Sequence, residues 1–135
     1  MGLNIPNSLC PICEDKEENS HHLFFDCKVA AFFWGKLGRW WNFTLPNFQR
    51  IEDHFIWSWH TTKNKKEGLW IQVAIIAVLV SIWKLRNGVI FDKKKIEEDI
   101  EFRKTQEMTY FWLFSRNSKF KMELVNWISN PKNSI

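Results

Sequence analysis

No uninterrupted apolar run of this 135-residue sequence reaches the length expected of a bilayer span. The longest such run, residues 69–83, covers 15 positions and includes Gln72 and Ser81, against the ~20 apolar residues a transmembrane helix needs. It reads instead as a buried helix. The first residues, Met1-Gly2-Leu3-Asn4-Ile5-Pro6, lack an apolar signal core, and Pro6 stands where a myristoylation motif needs Ser or Thr. The expectation is an intracellular chain, nuclear or cytoplasmic, without membrane attachment or secretion, so the sequon Asn42-Phe43-Thr44 carries no meaning. There is no even set of cysteines to close a disulfide framework, only three. No repeat or low-complexity tract is present, and of 22 aromatic residues a single one is tyrosine.

Nine Trp and twelve Phe remain, within a composition that is 45% hydrophobic. Such side chains bury on the order of 150–250 Å² each, and a chain of this length buries about two thirds of its unfolded surface. One domain with a real core is implied, and disorder is excluded. The net charge of +4 is unevenly placed: residues 1–30 hold five acids (Glu14, Asp15, Glu17, Glu18, Asp26) against two bases (Lys16, Lys28), whereas the other 105 hold 17 bases against ten acids. An anionic partner is permitted, and it would prefer the later part.

All three cysteines fall in the first 27 residues, as Cys10-x2-Cys13-x8-His22-x4-Cys27, with His21 adjacent. Thiolates and imidazole at this spacing suit tetrahedral Zn²⁺, and four protein ligands leave no position for water, so the metal is structural. The competing reading is merely buried or reactive thiols beside unrelated histidines. His22 is favoured by the apolar run Leu23-Phe24-Phe25 that leads to Cys27, but spacing alone admits His21. Zinc and three thiolates sum to −1, which leaves this corner acidic. It suits a staple better than a phosphate grip.

The rest reads as helices. Apolar stripes over residues 29–41 predict a helix buried on more than one side, with Asp26 as its N-cap. Next come a connection around Pro46, a helix over residues 49–59 and a mobile basic loop over residues 60–66. A long apolar helix then runs from Glu67 to a stop at Asn87-Gly88; its β-branched residues suggest a strand, but its length decides for helix. Asp92 is expected to cap a helix over residues 93–115, and a last one to cover residues 120–129 before Pro131. The fold class is mostly α: an N-terminal Cys-Cys-His-Cys zinc knuckle and lead-in segment over residues 1–28 and a helical body over residues 29–135, together forming one domain.

Two blocks, Cys10-Pro11-Ile12-Cys13 with His22-Leu23-Phe24-Phe25-Asp26-Cys27, and Ile82-Trp83-Lys84-Leu85-Arg86-Asn87-Gly88-Val89-Ile90-Phe91, resemble the zinc-binding region that follows the polymerase in plant LINE-type (non-LTR) retrotransposon reverse transcriptases. The resemblance covers about residues 7–91. It implies zinc on Cys10, Cys13, His22 and Cys27, and contact with RNA or target DNA beside a reverse transcriptase core. Catalysis is not implied: no Tyr-x-Asp-Asp or Phe-x-Asp-Asp pair and no ribonuclease H carboxylate set is present. Glu97-Glu98-Asp99 are consecutive, so a helix points them in different directions, as a solvated face does.

Candidate nucleic-acid contacts are Lys63, Lys65 and Lys66, then Lys84 and Arg86, then Lys93, Lys94 and Lys95, with Trp57 and Trp59 as stacking platforms for RNA or single-stranded DNA. Trp40, Trp70 and Trp83 are expected in the core. Arg86-Asn87 is better suited to tying a helix end than to touching RNA, and His54 and His60 to structural or surface roles. The alternative function is a zinc-stapled interaction domain that packs on a polymerase or self-associates through an exposed apolar patch.

Overall fold

The computed structural model describes residues 9–43, 50–61, 65–93, 95–116 and 120–131, without the side chains of Trp59 and Thr61. A π-helical turn, His22–Asp26, leads into α1 (Lys28–Trp41), α2 (Ile51–Thr61), α3 (Lys65–Asp92), α4 (Glu98–Arg116) and α5 (Leu124–Ser129). Among the described residues, strand-like pairing is confined to one bridge between Leu9 and Glu17. The mostly helical class with an N-terminal knuckle is the one the sequence suggests.

The spine is α3, 28 residues and about 42 Å long at 1.5 Å per residue. It is long and apolar enough to cross a membrane by length and composition, yet half of its most apolar stretch is buried in this fold. Trp70, Ile71, Ala74, Ile75, Ala77, Val78, Ile82 and Leu85 form its inner face, and α1, α2, α4 and the π turn all pack against α3. At the far end of α1 and α4, Trp127 of α5 is fully buried. Its ring meets Trp40, Trp41, Trp70 and Phe120 edge-on at 5.2–5.8 Å. Its indole N–H donates to the Gln106 carbonyl and to Thr109 Oγ1, while the Trp40 indole donates to the Trp127 carbonyl. A helix of six residues is thus held by packing rather than by its own propensity.

Element boundaries depart from expectation where tertiary contacts outweigh local signals. α3 continues through Asn87-Gly88 to Asp92, because one glycine costs only about 1 kcal/mol in a helix interior and Ile82 and Leu85 are already buried. Asp92 therefore ends α3 instead of capping α4; the chain turns at Lys93, φ 52°, and α4 begins with Glu98, Asp99 and Glu101 in its first turn, where acids suit the helix dipole. Glu97, Glu98 and Asp99 are exposed. Most of the expected basic loop is helical too, with only residues 62–64 outside the description; Lys66 Nζ lies 4.9 Å from the Trp70 ring centre. α5 starts later than expected because the Tyr110 hydroxyl donates to the Met122 carbonyl at 2.8 Å, holding residues 120–123 outside the helix with Phe120 and Met122 buried. Trp70 is core and Trp40 half-buried, but Trp83 is 48% exposed.

His54 on α2 is buried against the Trp34 ring at 4.4 Å and the Phe25 ring at 5.4 Å. Burial lowers its pKa to about 4. The neutral ring is the native form, so the unfolded chain takes up more protons between pH 6.5 and 4. Stability is full above pH 6.5 and falls as the pH drops toward 4, by on the order of 3 kcal/mol. Denaturant titrations from pH 7 to 4.5 should show this slope in the wild type and a shallower one in His54→Phe; equal slopes would refute the assignment.

Candidate metal centre

The knuckle is built by backbone bonds that turn the chain within six residues. The Glu14 N–H donates to the Cys10 carbonyl and the Cys10 N–H to the Lys16 carbonyl, both at 2.8 Å, with Glu14 in the left-handed region at φ 57°. Pro11 fixes one φ in this turn. The second half is set by the π turn. In an α-helix, positions five apart point about 140° away from each other. The Cys27 N–H instead donates to the His22 carbonyl, five residues back, at 2.7 Å, and this wider turn brings residue 27 over residue 22. Asn19 Oδ1 accepts from the His22 N–H at 2.8 Å, and the Trp34 indole donates to the Phe24 carbonyl at 2.7 Å.

Cys10, Cys13, His22 and Cys27 consequently place four ligand atoms within 4.8 Å of one another. Cys10 Sγ and Cys27 Sγ are 4.0 Å apart, and Cys13 Sγ and His22 Nε2 3.3 Å. A tetrahedron with Zn–S near 2.3 Å and Zn–N near 2.05 Å has edges of ~3.8 and ~3.6 Å, so the donor set fits one zinc. Of the two adjacent histidines, it is His22 whose ring nitrogen lies in this cluster. His22 is buried, whereas His21 turns outward, its Nδ1 3.0 Å from Asp26 Oδ2 and its ring against Phe25. That pairing engages Asp26, and Cys27 occupies the N-cap of α1 without a side-chain bond.

The thiols differ in environment. Burial raises Cys13, but backbone N–H groups of Asp15 and Lys16 and the His22 ring outweigh it and bring the pKa down to about 6. Burial pushes Cys27 up to about 12, against a lowering bond from the Val29 N–H and with the neighbouring Cys10 and Cys13 adding to the rise. A divalent cation reverses this cost by binding the thiolates, as Zn²⁺ does at such sites.

The sequence-predicted contacts scatter. Lys65, Lys66, Lys84, Lys93 and Lys95 are exposed along α3 and just beyond it, while Lys63, Lys94 and the Trp59 side chain lie outside the described residues. Trp57 is half-buried, edge-on to Phe43 at 5.3 Å. Arg86 is committed within the fold: its Nε and Nη2 donate to the two oxygens of Glu18 at 2.8 and 2.7 Å, and its guanidinium lies 5.2 Å from the Trp83 ring centre. This fork fastens α3 to the knuckle. Sequence reasoning missed a second basic group, Lys36 and Arg39 of α1 with Arg103 of α4, which line one cavity with Trp40 and Phe102. No spacing rule links them, although Lys36 and Arg39 share a helix face.

Purified protein should carry one zinc, retain it in His21→Ala and lose it or bind it far more weakly in His22→Ala, as read by metal analysis and chelator competition. Retention of zinc at wild-type affinity in His22→Ala would contradict the ligand set.

Comparison with curated proteins and with solved structures gives no match. Residues 1–34 match the family model described as zinc-binding in reverse transcriptase, a segment that contains all four ligands and ends at Trp34. The match spans about a quarter of the chain, so it is this N-terminal segment, with its converging Cys3His set, that is similar to the zinc-binding region of reverse transcriptases.

Proposed function

We propose that the chain is a noncatalytic, zinc-stapled module of reverse-transcriptase origin that contacts RNA or single-stranded DNA through the groove between α1 and α4. The observation that carries this reading is a cavity of about 540 Å³ lined by Lys36, Arg39 and Arg103, with Trp40 and Phe102 in its wall and Asp99 as its acid. Cations beside aromatic faces are what single-stranded nucleic acid requires, the cations for phosphates and the rings for bases. The groove is built from residues beyond position 30, where the excess of bases lies, and phosphates there would compete with the Lys36–Asp99 and Arg103–Glu107 pairs at 3.6 and 3.5 Å. The exposed lysines of α3 extend the positive field but are too widely spaced to form one site. A noncatalytic role is supported by the ligand count, since a hydrolytic zinc needs an open coordination position.

A second reading is docking on a reverse transcriptase core. It is favoured by an apolar cavity of about 560 Å³ between the π turn, Ile51 and α3, lined by Phe24, Phe25, Leu79, Val80 and Trp83.

Affinity for an RNA or DNA oligomer should fall steeply with salt, and Arg39→Glu with Arg103→Glu should weaken it roughly 10- to 100-fold and reduce the log–log salt slope by about 2. Salt-independent binding, or a double variant that binds like wild type, would overturn the nucleic-acid reading. Capture of a polymerase core that survives high salt would favour the second.

A further inference from the structure

The outer face of α3 carries a pattern separate from the core face and from the groove. Leu69, Val73, Ile76, Val80, Trp83, Asn87 and Ile90 succeed one another at intervals of four, three, four, three, four and three residues. This is a heptad repeat, with Val73, Val80 and Asn87 at a and Leu69, Ile76, Trp83 and Ile90 at d. None of the seven is buried: the d residues are 40–48% exposed, and Val73, Val80 and Asn87 are half-buried. The inner-face residues Trp70, Ile71, Ala74, Ile75, Ala77, Val78, Ile82 and Leu85 fall at b, c, e and f, so the core takes none of the d positions, while Val73 at a packs partly against it. Such a helix, apolar on both sides, is ordinarily covered on both.

We propose that this stripe is a coiled-coil seam on which α3 pairs with α3 of a second copy of the chain, parallel and in register. β-Branched residues at a with apolar residues at d favour two strands, and a single Asn at a sets register. In register, Asn87 faces Asn87 of the other copy and the two amides bond each other beside the 3.3 Å bond that Asn87 Oδ1 accepts from Arg86 Nη1; an antiparallel pair, in which a positions face d positions, would set each amide against Leu69 or Ile76. The flanks are compatible with a copy. Parallel pairing brings Leu79 to Lys84 and Arg86 to Phe91 across the seam, with no like charges facing, while Ala77 stays buried in its own core and Gln72 bonded to Ser58. The d residues, Phe91 at 75% exposure and the half-buried valines offer roughly 500 Å² per copy, so that a pair covers about 1,000 Å², the lower limit of a specific interface. Seven-residue spacing drifts about 20° per heptad on a straight helix, which a left-handed supercoil takes up.

The test uses the zinc-loaded, nuclease-treated full chain in analytical ultracentrifugation. The wild type should show a concentration-dependent monomer–dimer equilibrium. Asn87→Lys and Asn87→Glu, each placing like charges face to face, should self-associate at least ~10-fold more weakly, and an equimolar mixture of the two should restore the dimer. Restoration also shows that both variants fold. A wild type that stays monomeric, variants that dimerise like wild type, or a mixture that stays monomeric would each overturn the proposal. So would flotation of the monomer with phosphatidylcholine vesicles that Ile76→Glu abolishes, which would assign the stripe to lipid. The inference is independent of the nucleic-acid reading: a dimer that binds no RNA defeats only that reading.

Discussion

The position of Cys27 governs the course of the chain beyond it. This residue is at once a metal ligand, the end of the π turn and the N-cap of α1, so the point at which the four ligand atoms converge also fixes where α1 begins and in which direction it leaves. Two bonds carry that placement further. The Trp34 indole returns to the Phe24 carbonyl, and Arg86 grips Glu18 across 68 residues of sequence. The ion pair, at 21% and 24% side-chain exposure, is a two-bond fork, the geometry in which Arg and a carboxylate match most specifically. Its geometric role is clearer than its energy: it orients α3 against the knuckle.

The far end of the molecule is organised by aromatic packing rather than by metal. Trp127 closes a cluster of Trp40, Trp41, Trp70 and Phe120, and its polar edge is fully used. The cluster has a cost, because the buried indole N–H groups of Trp41 and Trp70 have no hydrogen-bond partner among the described residues, worth about 1–3 kcal/mol each. A chain with three cysteines and a modest length therefore divides its stabilisation. Metal coordination orders the acidic N-terminal corner, and ring burial orders the helical end. Between them α3 serves both, and keeps a second apolar stripe facing outward.

Much of this was legible in the residues. Ligand spacing identified the tetrad, since Cys, Cys, His and Cys within 18 residues have few other uses, and apolar periodicity identified α1, α2 and α3 as helices. The choice between His21 and His22 was not legible from spacing, because it depends on a π turn that only the fold reveals. Helix ends were misread where a distant partner overrides a local signal: Asn87-Gly88 looks like a stop, but α3 is already anchored there, and Phe120 looks helical until Tyr110 claims the Met122 carbonyl. Trp83 reads as core in the sequence because a helix apolar all round gives no compositional sign of which face is buried. The Arg86–Glu18 fork and the Lys36, Arg39 and Arg103 groove are products of tertiary structure, joining residues that no local pattern connects.

Amide hydrogen exchange on the zinc-loaded and chelated protein tests most directly whether the metal tetrad sets the start of the helical body. The account predicts that chelation accelerates exchange by orders of magnitude across residues 10–34, with a smaller rise around Arg86, while the amides of α4 near Thr109 and of α5 near Trp127 change little. Unchanged protection from Cys27 to Trp34 after zinc removal would contradict it.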